Sequence, residues 1–172
     1  MKIRIAALGA LVCLAAVQAP GSTQTTSSTA RVSISGWHLE CNPSGAAKLA
    51  CRILNQITQT PGGALLLGFT LSQGAKGAVD LTLQVPLGAG VNSPVTIGMP
   101  GGATENFPFV TCSQQGCFAA ATVDAPLLSA MRAGKAEIRA TYTLLDNNLS
   151  PHGVTVSLPL TGFAEVYDKL NT

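Results

Sequence analysis

The chain has 172 residues, 47% of them hydrophobic and only 10% charged, with ten Lys and Arg against eight Asp and Glu. That length supports one domain with a substantial core. The near-neutral balance gives no support to a nucleic-acid footprint or a polybasic membrane patch.

In chain order, Met1-Lys-Ile-Arg4 opens with two basic residues. An uncharged, mostly apolar run from Ile5 to Val17 follows and ends at Val17-Gln-Ala19, just before Pro20-Gly21. A basic start, a short apolar stretch and a small-residue site predict a cleavable secretory signal over residues 1–19. A membrane anchor is the alternative, but a spanning helix needs roughly 20 apolar residues. A lipoprotein signal at Cys13 would want Gly or Ala before the cysteine, and Val12 stands there. Cleavage near Ala19 implies a periplasmic or secreted protein. It also removes Lys2, Arg4 and Cys13, which leaves eight basic residues against eight acidic ones and four of the five cysteines.

Residues 20–30 are small, polar and aperiodic, a flexible linker, so the domain is expected over 31–172. Arg31 to Cys41 alternates as one strand, and Asn42-Pro-Ser-Gly45 turns it into a second, from Lys48 to Gln59. Further strands are expected over 64–71, 78–85, 95–99, 106–112, 118–124, 135–145 and 154–160. Gly- and Pro-rich or polar turns separate them. Asp124, Pro126 and Gly134 mark the cap, first turn and stop of a helix over 126–133. Residues 161–170 read as a short terminal helix. About eight short strands at roughly ten-residue intervals predict an all-β fold, an antiparallel sandwich or barrel-like domain with one or two short helices.

An even number of cysteines in an exported chain reads as disulfides, with three connectivities open. Spacing favours Cys41–Cys51 and Cys112–Cys117, because each pair flanks turn-forming residues and would face across a hairpin within disulfide reach. Gly116 supplies the positive φ such a turn needs. A four-thiolate zinc site is the competing reading, but its ligands normally sit closer within each pair.

Chemistry-bearing motifs are scarce. The two histidines, His38 and His152, lie outside any Ser or Cys nucleophile motif. Asp146-Asn-Asn148 lacks the further ligands of a calcium loop, and the glycine-rich turns lack the helix that phosphate binding uses. Asn148-Leu-Ser150 matches a glycosylation sequon, but Pro151 follows it and the sequon has meaning only in a eukaryotic pathway. No catalytic, cofactor-binding or metal-binding residue is therefore assigned.

Several segments nevertheless form a pattern. Trp37 shortly precedes Cys41, and Cys51 is followed by Ile-Leu-Asn-Gln56. Val85-Pro-Leu-Gly-Ala-Gly-Val91 leads into Pro94-Val-Thr-Ile-Gly98. Phe107-Pro-Phe-Val-Thr-Cys-Ser-Gln-Gln-Gly-Cys-Phe118 and the closing Val156-Ser-Leu-Pro-Leu-Thr-Gly-Phe163 complete the set. In this order the segments resemble the invasion associated locus B (IalB) family, exported proteins of alphaproteobacteria, over about residues 31–170. The resemblance implies a periplasmic or secreted β-sandwich-like domain, associated in pathogenic members with entry into host cells. It brings no catalytic site, and it carries over Cys41, Cys51, Cys112 and Cys117 as structural residues. The expectation is a non-enzymatic protein without cofactor, binding an envelope or host-surface partner. The alternatives are a structural factor in envelope integrity or stress tolerance, and an envelope hydrolase. A hydrolase would need two carboxylates about 5–10 Å apart in a cleft.

Overall fold

The computed structural model describes residues 30–34, 36–43, 49–99, 102, 104–134 and 137–170. The expected signal with its Cys13, and the expected linker as far as residue 29, lie outside the described residues. Alternation of apolar and polar side chains builds most strands. In Val79–Val85, every odd residue is buried and every even one half-exposed, as a strand with one covered face requires.

Seven strands form the larger sheet: β1 (Ala30–Ile34), β2 (Trp37–Pro43), β3 (Leu49–Thr58), β4 (Leu65–Gln73), β5 (Val79–Val85), β8 (Phe109–Ser113) and β9 (Gly116–Thr122). Their order is β1-β2-β3-β4-β5-β9-β8. The smaller sheet holds β6 (Val95–Gly98), β7 (Thr104–Phe107), β10 (Glu137–Leu145) and β11 (Pro151–Pro159), in the order β11-β10-β6-β7. All pairings of named strands are antiparallel. The two sheets share one core, in which Leu67, Phe69, Leu71, Leu81 and Leu83 of the larger sheet join Ile97, Ile138, Ala140 and Leu158 of the smaller. Helix α2 (Phe163–Leu170) packs against β1, β2 and β3, and helix α1 (Ala125–Ala133) packs against α2. Arg132 of α1 fastens the two helices, ion-paired to Asp168 at 3.1 Å and lying 5.0 Å above the Tyr167 ring. The fold is thus the expected all-β, two-sheet architecture with two short helices.

The differences from the expected elements are local. The alternating run over 31–41 is two strands, folded back at Gly36 with φ of 84°. Asn42 and Pro43 continue β2 instead of turning, and residues 44–48 lie outside the described set. The run over 106–112 is also two strands, and they belong to opposite sheets. Pro108 has no N–H to give a ladder, and there the chain leaves β7 in one sheet for β8 in the other. The segment after Asp146 is shorter than expected, because β11 already pairs with β10 from Pro151. Asp124 precedes α1 as foreseen but makes no side-chain cap bond. Its own N–H is taken by the carboxylate of Glu105 from β7, at 3.2 and 3.3 Å.

Candidate interaction surface

The structure bonds Cys41 to Cys51 and Cys112 to Cys117, in each case across directly opposed residues of adjacent strands. The Cα atoms stand 4.0 Å apart in both, the close spacing of a non-hydrogen-bonded antiparallel pair. Cys41 and Cys117 are buried, whereas Cys112 is exposed on the outermost strand of the larger sheet. The second bridge therefore staples an edge hairpin, Phe109–Thr122, at the rim of the molecule.

Beside this hairpin runs the glycine loop between β5 and β6. It does not hang free: Gly90 N donates to Thr143 O at 2.9 Å, Leu145 N donates to Gly88 O at 2.8 Å, and Ala89 bridges Leu144. Anchored on β10 in this way, the loop turns Leu87 and Val91 outward, 58% and 50% exposed. Val110 of β8 is 61% exposed. A groove of about 280 Å³ lies between the two segments, lined by Val91, Phe109, Val110, Thr111 and Cys112. No residue from Pro86 to Pro94 or from Phe109 to Cys117 is charged. An exposed apolar surface without charge loses little on contact with a partner, and such surfaces mark interaction sites. The two motif segments were legible in the sequence, but their meeting and their exposure were not. The available signal was the absence of any charge beside Leu87, Val91 and Val110.

The other sequence candidates are placed as follows. His38 points from β2 into a groove of about 450 Å³ together with Gly36, Glu40, Leu54, Asn55, Gln56 and Thr58. Among the described residues neither Ser nor Cys lines that groove, and Glu40 is engaged with Arg52 at 3.2 Å. His152 lies on β11 with Nε2 3.2 Å from Asp146 Oδ2. The other Asp146 oxygen closes its own turn, accepting the Asn148 and Ser150 N–H groups at 2.8 Å each. Asp146-Asn-Asn148 is thus a self-satisfied turn, and among the described residues no three His, Cys, Asp or Glu groups cluster as metal ligands.

The Ser150 N–H, then the His152 ring and the Asn148 N–H, hold the Asp146 carboxyl below the usual range. Its folded pKa is depressed, so its stabilisation is present above the unfolded value of about 3.9 and lost as pH falls through the folded one. In a carboxyl-carbon NMR titration, Asp146 is expected to titrate below a free aspartate and to move up in H152A. An unmoved midpoint would contradict the pairing.

Among carboxylates, Glu105 and Asp124 approach each other. Burial, reinforced by the Asp124 charge, raises the Glu105 pKa, while the Asp124 N–H opposes the shift. Their place is the start of α1, where Glu105 serves a backbone donor, and neither lines the grooves above. Glu137 pairs with Arg139 at 3.0 Å, and Asp80 accepts from Thr122 Oγ1 at 2.7 Å. No helix among the described residues is long and apolar enough to cross a membrane.

Comparison with known proteins places these features. The family model of the invasion associated locus B (IalB) protein matches residues 37–171. The chain belongs to the IalB family. The match begins at Trp37 and takes in both disulfides and α2. The invasion protein B homologue of Brucella abortus strain 2308 is 28% identical over 164 residues, covering 95% of this chain and 89% of the relative. The homologue from B. abortus biovar 1 strain 9-941 matches to the same extent. Invasion associated protein B from Bartonella henselae shares the fold, with a TM-score of 0.72 at 22% identity over 83% of this chain and 95% of that one.

The IalB motif residues explain themselves in this geometry. Trp37, at the start of β2, is fully buried. Its Nε1 donates to Pro159 O at 3.1 Å. Its ring meets Phe69 edge-on at 5.2 Å and Phe163 at 4.9 Å. The Trp near the first cysteine and the Gly-Phe ending are therefore two halves of one core contact.

Proposed function

We propose that this IalB protein is exported through residues 1–19, cleaved near Ala19, and acts as a non-enzymatic binding or adaptor protein. Its domain begins near residue 31, and it works in the periplasm or outside the cell on a partner protein of the envelope or of a host surface. The observation that carries the reading is the uncharged groove between exposed Val91 and Val110, flanked by the Cys112–Cys117 bridge and the glycine loop bonded to β10. The names of the Brucella and Bartonella relatives associate those proteins with invasion, which supports the host-surface arm.

The test is affinity capture with the mature, oxidised protein from envelope extract and from host-membrane extract, run in parallel with V91D and V110D. A charge placed in the centre of a docking surface removes on the order of 2 kcal/mol or more of binding. Both variants are therefore expected to lose the captured protein at least tenfold while keeping the wild-type melting temperature. Equal capture by wild type and both variants would sink the reading.

A further inference from the structure

Strand β11 is the outer edge of the smaller sheet, and its backbone can be followed residue by residue. Gly90 N bonds Thr143 O and Leu145 N bonds Gly88 O, so Thr143 and Leu145 turn their peptide groups away from β11. Their partners across the ladder are Gly153 and Pro151, and the same phase pairs Thr141 with Thr155, Arg139 with Ser157 and Glu137 with Pro159. In an antiparallel ladder, both residues of such a pair face away from each other's strand. Gly153, Thr155 and Ser157 therefore direct N–H and C=O outward, where the sheet has no further strand among the described residues. Pro151 and Pro159 share this phase, so each lacks the very N–H that would point outward. The Pro159 oxygen is already held by Trp37.

The remaining edges are poorer templates. Strand β7 is four residues long and carries Glu105, β8 has an irregularity between Phe109 and Thr111, and β1 includes Arg31. Over nine residues β11 pairs with β10 without a break in register and holds no Lys, Arg, Asp or Glu. An edge of this kind, long, regular and uncharged, invites another strand.

We propose that β11 pairs antiparallel with β11 of a second copy of this chain, about a two-fold axis at Thr155. In that register Thr155 faces the partner's Thr155, and Gly153 faces the partner's Ser157 on both sides of the axis. Each facing pair exchanges two N–H···O bonds. Pro151 then lies opposite the partner's Pro159, so the positions without a donor meet each other at the two ends of the pairing. There the Pro159 oxygen keeps Trp37, and the Pro151 oxygen is the one outward carbonyl that receives no N–H from the partner strand. A shift of two residues would set a proline against Gly153 or Ser157 and leave that carbonyl without its donor. The edge is thus complementary to itself, and without charge it meets its copy with no like-charge repulsion. The interface is isologous and closes as a dimer, joining two four-stranded sheets into one.

The test is sedimentation of the mature, oxidised protein over a concentration series, alongside T155P and T155K. Thr155 N–H takes no part in the β10 ladder, so proline there is expected to keep the fold, checked by circular dichroism and melting temperature. Wild type is expected to dimerise, with both variants weakened by at least about tenfold. Independently, T155C is expected to form an intermolecular disulfide on mild oxidation, because facing residues of such a pair lie within disulfide reach. Q56C, on the outer face of the larger sheet, should not. A monomer at every concentration, a dimer untouched by both substitutions, or equal cross-linking of T155C and Q56C would overturn the proposal. So would a dimer that appears only when residues 20–29 are removed.

Discussion

Replacing Trp37 by alanine is expected to cost about 4 kcal/mol, within the range for deleting a buried aromatic side chain. A typical domain is stable by only about 5–15 kcal/mol, so this one substitution takes much or most of what holds the molecule together. The loss has three parts: the buried ring, its edge contacts with Phe69 and Phe163, and the donor to Pro159 O. W37F separates them, because it restores most of the ring and leaves only the carbonyl unsatisfied, at about 1–2 kcal/mol. Denaturant midpoints of the oxidised proteins read both effects. If W37A unfolded within about 1 kcal/mol of wild type, the Trp37 pocket would not be the centre of the core.

The second large effect is expected at Gly116. Its φ of 136° lies where L side chains rarely sit. An added Cβ would press into the Val85 carbonyl oxygen on the neighbouring strand, with Gln84 Cγ at 3.5 Å. G116A must therefore both strain its own backbone and push β9 off β5 beside Cys117. Strained φ alone costs about 1–3 kcal/mol, and the displaced ladder adds to it. Gly62 supplies the control, with φ of 119° and nothing within 4 Å of a Cβ. G62A is expected to pay for the φ only, so the difference between the two midpoints measures the close approach. Thiol counting should also show incomplete Cys112–Cys117 closure in G116A and complete closure in G62A.

These two residues show what the sequence could and could not disclose. Gly116 was readable, because a hairpin between cysteines needs a positive φ and glycine was in place. The β5 strand was readable too, since its two faces differ at every step. Gly36 was not, because the alternation over 31–41 runs through the turn without a break and only the positive φ at Gly36 reveals the fold-back. Pro108 marked an interruption, but nothing local says that the chain changes sheets there. The interaction surface was the least legible part. Leu87, Val91 and Val110 look like any strand or loop aliphatics until the anchoring of Gly88 to Gly90 on β10 and the edge position of β8 turn them to water. The role of Glu105 at the start of α1 depends on two segments nineteen residues apart, which no capping rule for a single segment detects.

The bond between Trp37 and Pro159 joins residues 122 positions apart, and Phe163 lies beyond even that. A chain that appears N-terminus first, whether from a ribosome or from a membrane pore, holds Trp37 only partly covered until residues 159–163 follow. The larger sheet can be strung together early and bring Phe69 to the Trp37 ring, but the Nε1 acceptor and the Phe163 cover arrive only with residues 159–163. Completion of the core is therefore bound to the arrival of α2. Any truncation within α2 should leave a chain that behaves as an unfinished one.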